Sequence, residues 1–242
     1  GNMSEFSDFL ERHKKMVGRR SPWMPYWQQL ADVLLPNQAD FTTKKLPGEQ
    51  RGTGIYDGTP RLALRDLANT IDGLIKPKSS IWFDVEISDE RLMATDEVKR
   101  WLDIVKDYMW TALYRKEARF IQRSGEVDHA LACFGWGVLW IQENKAKNGL
   151  LFRSFHNSQV AIDENEEGVI DTISIEEDLF PRQAAAIYDK LKLPASRQIE
   201  DALKNKSGQN KKFKFVQLVP PNTDRDSRAV RGPQAMPYSS VL

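Results

Sequence analysis

Between Thr59 and Ile87 the hydrophobic period of the sequence drops from three-to-four residues to two, so the chain must place an amphipathic helix directly ahead of an extended segment. Leu62, Leu64, Leu67, Ala68, Ile71, Leu74 and Ile75 recur at spacings of three and four, the one-sided stripe of a helix lying on a core. Arg61, Arg65, Asp66 and Asp72 fall on the wetter face. Thr59 is placed to cap this helix, and Pro60 suits its first position because a proline there removes no helical hydrogen bond. Lys76-Pro77 ends it, since proline disfavours helical backbone in the residue before it. Ile81, Phe83, Val85 and Ile87 then alternate with Trp82, Asp84 and Glu86, which predicts a strand whose second face is partly covered at Trp82.

The same patterns run through the rest of the chain. Ser4 to Arg20 predicts a helix with Phe6, Phe9, Leu10, Met16 and Val17 on one side, a stripe thin enough to dock only on a neighbour. Ser21 and Pro22 open a second helix, Pro36 stops it, and Trp23, Tyr26, Trp27, Leu30, Val33 and Leu34 form its stripe. Because Trp23 to Leu35 contains neither Lys nor Arg, that stripe reads as core rather than as a base-stacking platform. Asn37 to Tyr56 reads as a long loop. Thr95 to about Phe120 is the longest predicted helix, with Val98, Trp101, Leu102, Val105, Met109, Ala112 and Leu113 inward. Another helix covers about Gln122 to Phe134 and ends at Gly135.

Beyond it the period shortens again. Asn148-Gly149 between Val138–Gln142 and Leu150–Phe155 predicts a hairpin with a tight turn, and an acidic turn joins Gln159–Ile162 to Val169–Ile175 in a second one. Pro181 begins a helix through Lys190, Ser196 caps another to about Asn205, and Phe213 to Val219 is a final alternating strand closed by Pro220-Pro221. Thr223 to Pro237 reads as mobile, and Tyr238 to Leu242 as a strand cut before its partner, so the natural product is expected to continue. The expected fold class is α+β. Residues 1–135 form a mainly helical region with one strand near 80–88, and residues 136–242 a hairpin-rich β region with two short helices, together one C-terminally truncated domain.

Composition narrows the function classes. Forty per cent hydrophobic and 29% charged residues suit a globular protein, and no run of about 18 apolar residues exists to span a membrane. Ser4 to Arg20 is too polar and basic for a secretory signal, and Gly1-Asn2 ahead of Met3 reads as a scar of tag removal. A single cysteine, Cys133, excludes an internal disulfide framework and fits a reducing compartment. The net charge of +1 gives no global pull toward nucleic acid, but the charges are segregated. Asp163, Glu164, Glu166, Glu167, Asp171, Glu176, Glu177 and Asp178 lie between Val160 and Phe180 without one Lys or Arg. Lys204, Lys206, Lys211, Lys212, Lys214, Arg225, Arg228 and Arg231 follow against only Asp224 and Asp226. On one reading both are solvated surface. On the other, the acidic edge of one copy faces the basic edge of the next, since head-to-tail assembly needs two different complementary surfaces.

Catalytic and ligand-binding patterns are incomplete. Gly52-Thr53-Gly54 follows no strand and has Asp57 where a dinucleotide fingerprint needs its third glycine, so no nucleotide site is predicted. Asp128, His129 and Cys133 share a helix face, but one His and one Cys do not close a zinc site and read better as core. Asp163, Asn165 and Glu167 imitate the start of a calcium loop whose twelfth position holds Ser174 instead of a glutamate. Asp84-Val85-Glu86 lacks the lysine of a nuclease pattern, and the three histidines, His13, His129 and His156, stand outside any triad motif. No cofactor, metal or catalytic set is predicted.

Several segments carry a resemblance: Ile55-Tyr56-Asp57 ahead of the helix with Leu67-Ala68-Asn69 and Gly73-Leu74, then Trp82-Phe83; Gly135-Trp136-Gly137 leading into Val138-Leu139-Trp140-Ile141; the acidic hairpin, Arg182-Gln183, and Val219-Pro220-Pro221-Asn222. In these the chain resembles the N-terminal part of the head-to-tail connector, or portal, family of short-tailed bacteriophages. The resemblance implies a wing-type domain of a dodecameric ring at one capsid vertex. It also implies partners: further copies of itself, capsid, scaffold, terminase motor and tail proteins, and double-stranded DNA that passes through the ring during packaging and ejection. A virion component, present in the host cytoplasm during assembly, would follow, with no membrane partner and no enzymatic role. The alternative from another class is a monomeric nucleic-acid-binding module that uses the basic 204–231 segment.

Overall fold

The computed structural model describes residues 2–43, 48, 57–190, 194–205, 208–222, 225, 228 and 235–239. The fold is α+β, and its contacts divide it into two compact units, Trp23–Ser158 and the pair of segments Gly1–Pro22 and Gln159–Leu242. The 135/136 boundary expected from the sequence falls inside the first of these, between a helix and the strand that follows it.

Trp23–Ser158 contains α2 (Met24–Leu34), α3 (Thr59–Ile75), α4 (Glu90–Met93), α5 (Asp96–Tyr114), α6 (Phe120–Phe134), β1 (Val138–Glu143) and β2 (Leu150–Phe155). Its main core is aromatic: Trp27 lies 5.7 Å from Phe41 and 5.6 Å from Trp136 between ring centroids, and Phe41 meets Phe134 edge-on at 5.1 Å. Buried Gln28 ties the loop after α2 to this core. Its amide donates to the Ala39 carbonyl at 2.9 Å, and its oxygen accepts from Phe41 N–H at 2.8 Å. Beneath α3 the Lys76 ammonium reaches across to Asp128 of α6 at 2.6 Å, with both side chains largely buried. A second cluster joins Phe120 and Phe152, 5.0 Å apart, to Trp82 and Tyr114, where Trp82 Nε1 donates to the tyrosine hydroxyl at 3.0 Å.

Several expectations are corrected in this unit. Among the described residues, 81–87 join no ladder; the segment is held by its aromatics, Trp82 on Tyr114 and Phe83 near Trp110. Helix α3 begins at Thr59 behind Gly58, with Asp57 accepting the Thr59 N–H at 2.9 Å, so the aspartate does the work assigned to Thr59. The helix expected to run to Phe120 stops at Tyr114, and Arg119, at φ 59°, turns the chain into α6. The first hairpin forms with Val138 opposite Phe155 and Glu143 opposite Leu150. Its left-handed residue is Lys147, at φ 55°, rather than the Asn148-Gly149 pair, because Asn144 binds Asn148 across the loop. Gly137 permits the close approach of β1 to α6: a Cβ there would meet Val127 Cγ1 at 2.9 Å.

The other unit lays α1 (Asn2–Arg20) against an antiparallel sheet of β3 (Val160–Glu164), β4 (Ile170–Leu179) and β5 (Phe213–Val219), with α7 (Pro181–Lys190) and α8 (Arg197–Lys204) between the last two strands in sequence. Met16, 1% exposed, packs on Ala161 and Leu218, so the thin stripe of α1 finds its cover within its own unit rather than on a neighbour. Tyr238 likewise has a partner, bridging back to Pro221. No helix among the described residues is long and apolar enough to cross a membrane.

Candidate functional site

The segregated charges all belong to the sheet unit, and the sheet sorts them into those consumed within the chain and those left outward. Strand β4 ends in Glu176-Glu177-Asp178, and its antiparallel register sets Asp178 opposite Lys214 of β5. On the face of β4 that receives α1, His13 Nε2 lies 2.9 Å from Glu176 Oε1 and its Nδ1 2.7 Å from Ser174 Oγ. A carboxylate only accepts, so Nε2 carries the proton and the serine hydroxyl can donate to Nδ1. Arg20 stands 3.8 Å from the other Glu176 oxygen, and Lys214 3.9 Å from the first. Burial lowers the Arg20 guanidinium from its ordinary pKa, with Glu176 acting in the opposite sense. Arg12 donates to Thr172 at 2.6 Å, and Arg19 pairs with Asp163 at the start of the acidic turn. Strand β4 is thus clamped to α1 by polar contacts between residues 160 to 163 positions apart, which the acidic composition of this segment does not announce.

What remains is arranged at the two ends of β4. At one end the β3–β4 turn carries Glu164, Glu166 and Glu167 exposed, and none of them forms an ion pair among the described residues. Asn165 shapes this turn by accepting the Glu167 and Val169 N–H groups at 2.9 Å, and Gly168 takes φ 75°. At the other end Phe180, Pro181, Arg182, Leu203, Gln209 and Asn210 line a groove of about 450 Å³. Lys204 closes the last turn of α8, exposed next to Leu203. The Lys212 ammonium sits 5.3 Å above the Phe180 ring, and that of Lys211 5.5 Å above Phe213. Arg225 and Arg228 lie exposed beyond β5, whereas Lys206 and Arg231 lie outside the described residues, as does Gly52-Thr53-Gly54.

The residues weighed as ligands or catalysts go to separate environments. Asp128 serves Lys76, His129 Nδ1 donates to the Gly125 carbonyl at 2.8 Å, and Cys133 is buried in the aromatic core, where burial pushes its thiol up to about 11. Asp163 of the imitation calcium loop is bound to Arg19. Asp84, held below the usual carboxylate range by the Val85 N–H and by Lys106, faces solvent. Among the described residues no three His, Cys, Asp or Glu side chains converge as metal ligands.

Trp23–Ser158 has a different kind of surface. Leu67, Leu74 and Ile75 of α3 and Trp101, Ile104, Tyr108 and Met109 of α5 are exposed, although most were expected to face a core. Sequence periodicity finds such a stripe but not whether the chain itself covers it.

Over 95 residues, 38% of this chain, the sequence is 34% identical to a probable portal protein of Bordetella phage BPP-1. That match spans only 17% of the phage protein. The family model described as bacteriophage head to tail connecting protein matches residues 7–242. With nearly its whole length matched, the chain belongs to the bacteriophage head-to-tail connecting protein family.

Proposed function

We propose that this chain is a structural subunit of a portal ring of a short-tailed phage, through which double-stranded DNA is packaged and ejected and to which the tail attaches. The observation that carries the reading is the family match across residues 7–242. Two features of the molecule support it. The sheet unit presents acidic and basic ends, and α3 and α5 present apolar faces, as a subunit with more than one neighbour requires.

The role is geometric rather than catalytic. Copies arranged around an axis, twelve by the family resemblance, form a channel at one capsid vertex, while a separate terminase motor supplies the energy for DNA movement. Capsid, scaffold and tail proteins are the further partners, and the particle itself is the destination after assembly in the host cytoplasm.

Electron microscopy with light scattering on the purified protein tests this. Closed rings with a central channel are expected. A protein that stays monomeric at micromolar concentration while binding duplex DNA with steep salt dependence would instead establish the nucleic-acid-binding module.

A further inference from the structure

We infer that neighbouring copies join through the acidic tip of the β3–β4 turn, which inserts into the basic-rimmed groove beside Phe180 of the next copy. The inference rests on the ring-subunit reading and names the surfaces that reading leaves open.

Charge complementarity selects the occupant. The groove has an apolar floor, exposed Phe180 and Leu203, and basic groups around it: Arg182 on its wall, Lys204 next to Leu203, and Lys212 over Phe180. Its match must therefore carry apolar side chains flanked by carboxylates. The β3–β4 turn supplies that combination in one short segment, with Glu164, Glu166 and Glu167 followed directly by Val169 and Ile170, 55% and 48% exposed. Two other acids of this region are committed within the chain, Asp163 to Arg19 and Glu176 to His13, Arg20 and Lys214, Asp171 accepts from Thr172, and Asp178 stands opposite Lys214 in the ladder. At the tip three exposed carboxylates lie within four residues of one another.

Geometry makes the contact intermolecular. The tip precedes Ile170 and the groove begins at Phe180, so they lie at opposite ends of β4. At roughly 3.3 Å per residue a ten-residue strand holds them about 30 Å apart. A tip cannot reach its own groove. Two different surfaces in contact make a heterologous interface, which propagates in one direction and closes into a ring when the rotation permits. A two-fold dimer could seat both tips reciprocally but would stop at two copies, so cross-linked species beyond the dimer separate the ring contact from it.

The test uses the full chain with Cys133→Ala, carrying Glu166→Cys at the tip and Leu203→Cys at the groove, treated with a short bis-maleimide. The doubly substituted chain is expected to give a ladder of dimers, trimers and higher species, and a mixture of the two single-cysteine chains only dimers. Reversing the tip (Glu164→Lys, Glu167→Lys) or the rim (Lys204→Glu, Lys212→Glu) should each lower the cross-linked yield by about tenfold, as should 0.5 M salt. A 1:1 mixture of tip-reversed and rim-reversed chains, each carrying both cysteines, restores it, because every acidic tip then meets a basic groove. Circular dichroism on each variant confirms that the fold is intact. No ladder, or a ladder indifferent to charge reversal, overturns the inference. Rings formed without this cross-link would remove the tip-and-groove contact and leave the portal reading standing, whereas a ladder that never closes into rings would do the reverse.

Discussion

Helices α5 and α6 follow one another in the sequence, and both are amphipathic, but they are held in opposite ways. In its 15 residues α6 buries Phe120, Ser124, Asp128, Ala130, Cys133 and Phe134, while the 19-residue α5 buries Leu102 alone. The difference lies in what surrounds them. Helix α6 runs between the two aromatic clusters and under Lys76, so opposite faces of it are both covered. Helix α5 is anchored through Tyr114 and Trp110 near its C-terminal end and through the ion pair of Lys106 with Asp84, and its middle presents Trp101, 59% exposed, and Tyr108, 74% exposed. A clean hydrophobic period therefore says that a face needs cover, not that the same chain provides it.

Substitutions separate the two helices, and the largest effect belongs to the well-covered one. Phe134→Ala removes a ring that meets Phe41 edge-on in the core and should cost about 3–5 kcal/mol in urea unfolding. A loss below about 1 kcal/mol would mean that α6 is not the centre of its unit. Next, Asp128→Ala leaves the largely buried Lys76 ammonium only Asp72, at 3.6 Å, and should cost about 2 kcal/mol, while Lys76→Met with Asp128→Leu recovers most of it, because a paired charge and its apolar replacement are nearly equivalent inside a core.

A pH dependence comes from the same helix. The Cys133 thiol ionises near its ordinary 9.0 when unfolded and near about 11 when folded. Between those values the folded state keeps a proton that the unfolded state has released. Stability is therefore full below pH 9 and falls by about 2 kcal/mol toward pH 11, and Cys133→Ala flattens that part of the curve. An unchanged alkaline slope in the variant would assign the loss to other groups. The smallest effect is expected on α5: Trp101→Ser and Tyr108→Ser should each change the stability of the isolated chain by no more than about 0.5 kcal/mol. A loss above about 2 kcal/mol would show this face to be covered in solution.

The candidate interface was legible only in part. The segregation of Glu164, Glu166 and Glu167 from Lys204, Lys211 and Lys212 is visible as composition, and the structure leaves all of them exposed. Asp163 and Glu176 look identical to them in the sequence but are bound to Arg19 and to His13, Arg20 and Lys214. The apolar floor of the groove, where Phe180 and Leu203 come together from 23 positions apart, has no local signature at all. Residues 81–87 show the converse failure, a strand pattern without a partner strand among the described residues, because alternation records two faces but not a neighbouring backbone.

From sequence alone follow the existence and approximate extent of the helices other than α4, the stops at Pro36, Lys76-Pro77 and Gly135, and both hairpins, since these depend on backbone preferences and on spacing within a few residues. Tertiary structure decided which apolar stripes are core and which are surface, and which charges cancel within the chain. Both depend on groups far apart in sequence coming within a few ångströms of one another, and neither burial nor an ion pair exists until the chain has folded.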